Sequence, residues 1–193
     1  MTLTRILSIV FLLGALYLGY RLYDSVDSVV EEEKRIAQTE ARIIEKLQML
    51  RDAQLAYVAT NKEYAENWNE LKKFIQDGEI WLVQRKETTT LLDYGKEETT
   101  VSFDTLGSVN VMDSLFNERK YPDFNLEALN VVPGSGGKTF EFFADKIERN
   151  QREIPVFEIR DPEPVNPKRQ ANNKEKALRV GSRTDSSTAG NWE

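Results

Sequence analysis

The chain has 193 residues, 26 of them basic and 32 acidic, for a net charge of −6, and it contains neither histidine nor cysteine. Disulfides, thiolate metal sites, cysteine nucleophiles and every histidine-dependent triad or general base are therefore excluded within the chain. An acidic surface with no Lys/Arg run interleaved with aromatics repels phosphate backbones, so no nucleic-acid partner is expected. With 40% hydrophobic and 30% charged residues the composition is that of an ordinary soluble protein, so any apolar excess must be local.

That excess sits at the N-terminus. After Arg5, residues Ile6 to Tyr20 carry no charge, and Arg21, Leu22 and Tyr23 follow. Crossing a bilayer takes about 20 residues, a length reached from Thr4 to Tyr23 if Arg5 and Arg21 extend their side chains to the two interfaces. Tyr17, Tyr20 and Tyr23 cluster at one end, as interfacial aromatics do. The pattern predicts a transmembrane anchor over 1–23 and hence the bilayer as a partner. A cleaved signal peptide is the competing reading, but Tyr17-Leu-Gly-Tyr20-Arg-Leu-Tyr23 offers no small-x-small cleavage site. Arg5 lies before the span, while Asp24, Asp27 and Glu31-Glu-Glu33 follow it, which predicts an inside N-terminus against the weaker pull of Arg21. Ala15 and Gly19, four residues apart, could seat a second helix.

From Ser25 to Thr60 there is no Pro or Gly, and strong helix formers predominate, so 24–60 is expected to be a continuous helix. Leu22, Val29, Ile36, Ile43, Leu50 and Tyr57 recur every seven residues, the period of a supercoiled seam. The companion positions Val26, Glu33, Glu40, Leu47 and Gln54 are poor for that role. Two readings follow: a seam with another membrane protein or a second copy, or core packing by Ile43 to Tyr57 with a solvated stalk before it. Ile44, Leu47, Leu55 and Val58 widen the apolar stripe near the end, as core packing requires.

A small α+β domain is expected over 61–160. Asn67 or Asn69 can cap a short helix ending at Gly78, with Trp68, Leu71, Phe74 and Ile75 at helical spacing. Glu79 to Arg85 and Thr99 to Phe103 read as strands, with Thr88-Thr-Thr90 and Asp93-Tyr-Gly-Lys96 as the loop between them. Met112 to Phe116 reads as a brief helix. Lys138 to Ile147 and Ile154 to Ile159 read as strands joined by the turn Glu148 to Glu153. The helix-then-strand order gives an α+β class: an N-terminal transmembrane helix continuing into a long helix, packed on a small antiparallel sheet. Residues 161–193, rich in Pro, Asn, Lys and Ser, are expected to form an extended or disordered tail. Ala177-Leu-Arg-Val-Gly-Ser182 and Asn191-Trp-Glu193 are exceptions within it, since Trp192 near the end of a polar tail implies something to dock against, either the chain's own domain or a partner.

Gly134-Ser-Gly-Gly-Lys-Thr139 has the look of a phosphate-binding loop. That loop needs a Gly where Val132 stands and a helix after it, whereas Phe140-Glu-Phe-Phe143 reads as strand, so a tight turn is expected. No carboxylates are spaced as an acid/base pair or a calcium loop.

Asp52-Ala-Gln-Leu-Ala-Tyr57, Asn61-Lys-Glu-Tyr64 and Leu71 resemble, over a short stretch, the end of the long helix and the following turn in type IV pilins and pseudopilins. The pilin processing motif is absent, with no Gly before a Phe-Thr-Leu-type start and no Glu in the early apolar stretch. More broadly, Val111-Met-Asp-Ser-Leu-Phe116, Pro155-Val-Phe-Glu158 and the ending Val180-Gly-Ser through Gly190-Asn-Trp192 resemble small bitopic envelope proteins of Bacteroidota bacteria. This resemblance implies a single-pass protein of the bacterial inner membrane with most of its chain in the periplasm, and it brings no activity with it. The expected function is a non-enzymatic, membrane-anchored subunit of a cell-envelope assembly of the secretion, motility or pilus-like kind. No catalytic, cofactor-binding or metal residues are expected, and Leu22, Val29, Ile36, Ile43, Leu50, Tyr57 and Trp192 are the candidates for contact with a partner. The alternative is an extracytoplasmic binding module for a peptide, glycan or lipid, which calls for a concave pocket lined by Trp68, Trp81 or the Phe140 to Phe143 cluster.

Overall fold

Helix α1 runs without interruption from Leu3 to Asn61 in a computed structural model that describes residues 3–91, 96–117, 119–122, 124–149, 151–170 and 176–193. The absence of Pro and of any Gly beyond Gly19 lets the apolar N-terminal stretch and the charged stretch after it join in one helix. The chain divides into two compact units, Met1–Arg42 and Ile43–Glu193. The first is helix throughout its described residues.

In the second unit α1 presents Ile43, Leu47, Leu50 and Ala53 to a core, all essentially inaccessible to water. Gln54 extends this row and is equally buried. Its Nε2 donates to the Ala65 carbonyl at 3.2 Å and its Oε1 accepts from the Ala65 N–H at 3.0 Å. One side chain thus satisfies both backbone groups of the returning loop, where an unpaired buried amide would cost roughly 1–3 kcal/mol. The helix stops at Lys62, whose φ of 68° is left-handed and whose N–H bonds the Val58 carbonyl at 2.9 Å. Glycine is the residue that ordinarily ends a helix in this way.

Helix α2, Trp68–Asp77, begins at the expected cap: Asn67 accepts from the Glu70 N–H, and the Glu70 carboxylate reaches back to the Glu66 N–H at 3.0 Å. This reciprocal arrangement satisfies donors that the first turn leaves open. Leu71 and Ile75 face the core, and Gly78 caps the C-terminal end.

Strands β1, Glu79–Leu91, and β2, Glu97–Asn110, form an antiparallel two-stranded sheet. Both are longer than the sequence implies, and Thr88 to Thr90, expected in a loop, belong to β1. Thr is β-branched and suits a pleated ladder; Thr88 and Thr89 lie opposite Thr100 and Thr99. Of the expected Asp93 to Lys96 loop, residues 93–95 lie outside the described residues. A short helix, α3, Val111–Leu115, follows, capped by Asn110.

The second sheet has the order β3-β4-β5, all antiparallel, with β3 at Glu141–Arg149, β4 at Arg152–Arg160 and β5 at Arg179–Gly181. The β3–β4 turn is tighter than the expected Glu148 to Glu153. On one face Phe157 and Ile159 enter the core, Trp68 packs edge-on to Phe142 at 4.7 Å, and Tyr64 lies 4.6 Å from Phe157. On the other face are Phe143 and its cross-strand partner Glu158.

The C-terminal stretch is more ordered than an extended or disordered tail, and the two segments excepted from it, Ala177 to Ser182 and Asn191 to Glu193, dock on the chain's own domain. Leu178 and Val180 are buried, β5 pairs with β4, Gly190 bridges to Val180, and Trp192 packs on the core. Glu158, almost wholly buried, accepts from Arg179 at 2.6 Å and from Arg183 at 2.8 Å, and the Arg183 guanidinium lies 4.8 Å above the Phe143 ring. The tail therefore adds Leu178 and Val180 to the core face while Arg179 and Arg183 reach Glu158 on the other face, where Glu158 offsets its burial with two charge-assisted hydrogen bonds. Gly181 is required here, because its φ of 79° is left-handed and a Cβ would collide with the Phe157 carbonyl oxygen.

Replacing Gln54 with Leu should lower unfolding free energy by roughly 1–3 kcal/mol despite the gain in apolarity, because Ala65 loses both partners; urea unfolding measures this. Lys62→Gly should raise it by roughly 0.5–1 kcal/mol by relieving the left-handed backbone, measured by the same urea unfolding.

Candidate interaction surfaces

The N-terminal half of α1 is long and apolar enough to cross a membrane. Its large side chains, from Leu7 through Phe11, Leu16 and Tyr20 to Tyr23, are exposed and uncovered within their own unit. Open space lies beside Gly14 and Gly19, so the small-residue step is accessible.

The heptad-spaced residues divide sharply. Leu22 and Val29 are exposed and Ile36 is half-buried. Ile43 and Leu50 lie in the core, and Tyr57 packs edge-on to Phe74 at 5.1 Å. The last three are therefore spent on the chain's own domain, which corrects their assignment as partner contacts: Ile43 and Leu50 share one core cluster with Leu71 and Ile75 of α2 and Phe157 and Ile159 of β4, and Tyr57 packs against it. Trp192 also turns inward. It packs on the core next to Gly190, where any Cβ would strike its indole, and Glu193 pairs with Arg51 of α1 at 2.6 Å.

The expected wall of a binding pocket does not assemble. Phe140 is core, Trp68 packs edge-on to Phe142, and Trp81 stands apart on β1, exposed. A cleft of about 770 Å³ instead lies beside α3, lined in part by Met112, Phe116, Arg119, Tyr121 and Phe124. The rings of Phe116 and Phe124 are 4.7 Å apart, and the Lys120 ammonium sits 5.1 Å from the Tyr121 ring while pairing with Asp52 at 3.1 Å. Sequence reasoning missed this cleft. Its residues come from one irregular stretch with no periodicity to mark a concave surface.

The glycine-rich segment forms a turn, with Gly134, Gly136 and Gly137 all at positive φ. The Val132 N–H bonds the Lys138 carbonyl at 2.8 Å, Ser135 Oγ accepts from the Lys138 N–H, and the chain then enters β3, with no helix dipole to hold a phosphate. Among the described residues no group of three or more Asp or Glu side chains is placed to hold a metal. Lys46 has its pKa held below the ordinary lysine value. Burial is the main cause and the Lys72 charge adds to it. Its ammonium donates to the Ala128 carbonyl at 2.6 Å, and Lys72 donates to the neighbouring Glu127 carbonyl at 2.8 Å, so the pair anchors a loop.

Comparison with protein-family models, curated protein sequences and solved structures gives no match to this chain.

The Arg51 hydrogen bond holds the Glu193 carboxyl below its ordinary pKa, followed by a smaller charge contribution from Arg51. A carboxyl depressed in the folded state stabilises above its unfolded pKa and loses that contribution as pH falls through the folded value. Glu193→Gln should therefore be less stable than the parent chain at pH 7, with the gap closing below the ordinary carboxylate range. Paired urea titrations across that range measure it.

Proposed function

We propose that this chain is a single-pass protein of the bacterial inner membrane whose N-terminal helix tethers the Ile43–Glu193 unit in the periplasm, where it serves as a non-enzymatic subunit of an envelope assembly. The observation that carries the reading is the uncovered apolar surface of α1 from Leu7 to Tyr23. In water that surface is a liability, whereas in hydrocarbon it needs no cover and the helix satisfies its own backbone. Leu22, Val29 and Ile36, unlike the three later members of the series, remain available to another membrane protein or to a second copy. The inside placement of the N-terminus is supported by Arg5 before the span, against the weaker pull of Arg21 after it.

A binding module for a peptide, glycan or lipid is favoured by one observation, the aromatic cleft beside α3 with Arg119 at its edge. The membrane reading draws on a longer segment and accounts for more exposed apolar surface.

Membrane fractionation tests the tether. The full chain should resist alkaline carbonate extraction, and deletion of residues 1–23 should release it to the soluble fraction. The chain lacks cysteine, so single replacements report cleanly. Leu22→Cys and Val29→Cys should crosslink in membranes, Glu31→Cys on the opposite side of α1 should not, and a membrane-impermeant maleimide should label Glu31→Cys from the periplasmic side. A full chain that partitions into the soluble fraction, or that runs as a monodisperse monomer in mild detergent with no crosslink at Leu22 or Val29, would overturn the proposal.

A further inference from the structure

The β1–β2 hairpin has one face that its sequence treats as buried and that no described residue of the chain covers. Residues paired across an antiparallel ladder share a face, and every second residue along a strand does too. One face therefore carries Trp81, Val83, Arg85, Glu87 and Thr89 from β1, with Thr105, Phe103, Val101 and Thr99 opposite the last four. The Arg85–Glu87 ion pair at 2.5 Å and the Thr89–Thr99 hydroxyl contact at 3.4 Å confirm the assignment. The reverse face carries Leu82, 44% exposed, and then Gln84, Lys86 and Thr88 opposite Asp104, Ser102 and Thr100, while Leu106, 67% exposed, is unpaired at the bulge next to Leu82. Beyond the bulge the hairpin is amphipathic, yet Phe103 is 66% exposed, Trp81 58%, Val83 52% and Val101 38%. No third strand joins it among the described residues. A two-stranded sheet is marginal in water without packing on something, and an alternating strand with an apolar side is built to be covered.

We propose that this face is covered by the same face of a second copy of the chain. Charge selects that occupant. The protein is acidic overall, so two copies repel on average. The central part of this face, however, carries one cation and one anion, two residues apart, on either side of the level where Lys86 pairs with Ser102. A two-fold axis crossing the strands at that level sets Arg85 against Glu87 of the second copy, and Phe103 against Val101 of the second copy. An isologous interface needs such self-complementarity, and here the Arg85–Glu87 and Phe103–Val101 pairs come into register together, with Val83 set against Thr89 of the second copy. Sheets packed face to face in this way enclose their apolar side chains between them. The proposal is independent of the helical seam of α1, since the hairpin could pair whether or not Leu22 and Val29 do.

The test uses the full chain in mild detergent and a short bismaleimide. Val101→Cys should give a covalent dimer, while Ser102→Cys, one residue along β2 on the reverse face, should give at least about tenfold less, because that thiol points away from the second copy. Arg85→Glu and Glu87→Arg, each added to Val101→Cys, should each cut the yield by about tenfold or more through like-charge contact. Mixing these two charge variants, differently tagged, should restore crosslinking as a heterodimer. Folding damage within one hairpin would not be repaired by mixing, because each variant keeps its own like-charge pair. Equal crosslinking of Val101→Cys and Ser102→Cys, no dimer from either, dimers without charge dependence, or no recovery on mixing would each overturn the proposal, as would crosslinking of Val101→Cys only to a different protein.

Discussion

The structure of the second unit depends on one stripe of α1, the row Ile43, Leu47, Leu50, Ala53 and Gln54. The core of that unit is built on it. Tyr57 meets Phe74 of α2, and the chain reverses after Asn61 because Gln54 fastens Ala65 by both backbone groups. Lys46, on the same helix, holds the Ala128 carbonyl. The stripe is apolar for most of its length and ends in an amide. Hydrophobic burial supplies the non-directional drive and Gln54 the geometric restriction. A Leu at position 54 would keep the first and lose the second.

The same stripe explains why a seven-residue repeat is ambiguous. A straight helix drifts by only about 20° per heptad relative to such a repeat, so over two heptads the drift stays within an apolar face of about 100°. Ile43, Leu50 and Tyr57 are core residues that satisfy a coiled-coil template by arithmetic. The companion positions held the better clue. Glu33 and Glu40 fail as a seam, whereas Leu47 and Gln54 are completely buried. The change from carboxylates to Leu and an amide falls on either side of the boundary between the Met1–Arg42 and Ile43–Glu193 units.

The helices and their caps were legible because periodicity and capping are local: α1, α2 with Asn67, α3, and the β3–β4 pair all follow from residues close in sequence. The tail was not. β5 has three residues, too few for alternation to register, and its place beside β4 depends on Arg179 and Arg183 finding Glu158 from the far end of the chain. Composition pointed the other way, since Pro, Asn and Ser lowered the average while Leu178, Val180 and Trp192 carried the packing. The length of the β1–β2 hairpin was hidden by its threonines, which suit a loop by polarity and a strand by branching. Burial cannot decide between them where the ladder faces water on both sides.

Two apolar surfaces remain uncovered within their own units, and they differ in kind. From Ile6 to Tyr20 α1 carries no charge on any side, so there is no polar face for water to meet. A helix apolar all round suits a medium that surrounds it, such as hydrocarbon or the interior of a large assembly. Beyond its bulge the hairpin is one-sided: Val83, Phe103 and Val101 are backed by Gln84, Lys86, Ser102 and Asp104, and Leu82 interrupts the polar face only at the bulge. Immersion in lipid would strand that polar face, whereas exposure to water leaves only the apolar one unsatisfied. A flat contact on one side with solvent on the other resolves both demands, and this is what a protein surface provides and a bilayer interior does not. The arrangement of polarity around each element, more than its total apolarity, therefore separates a surface suited to a membrane from one suited to another protein.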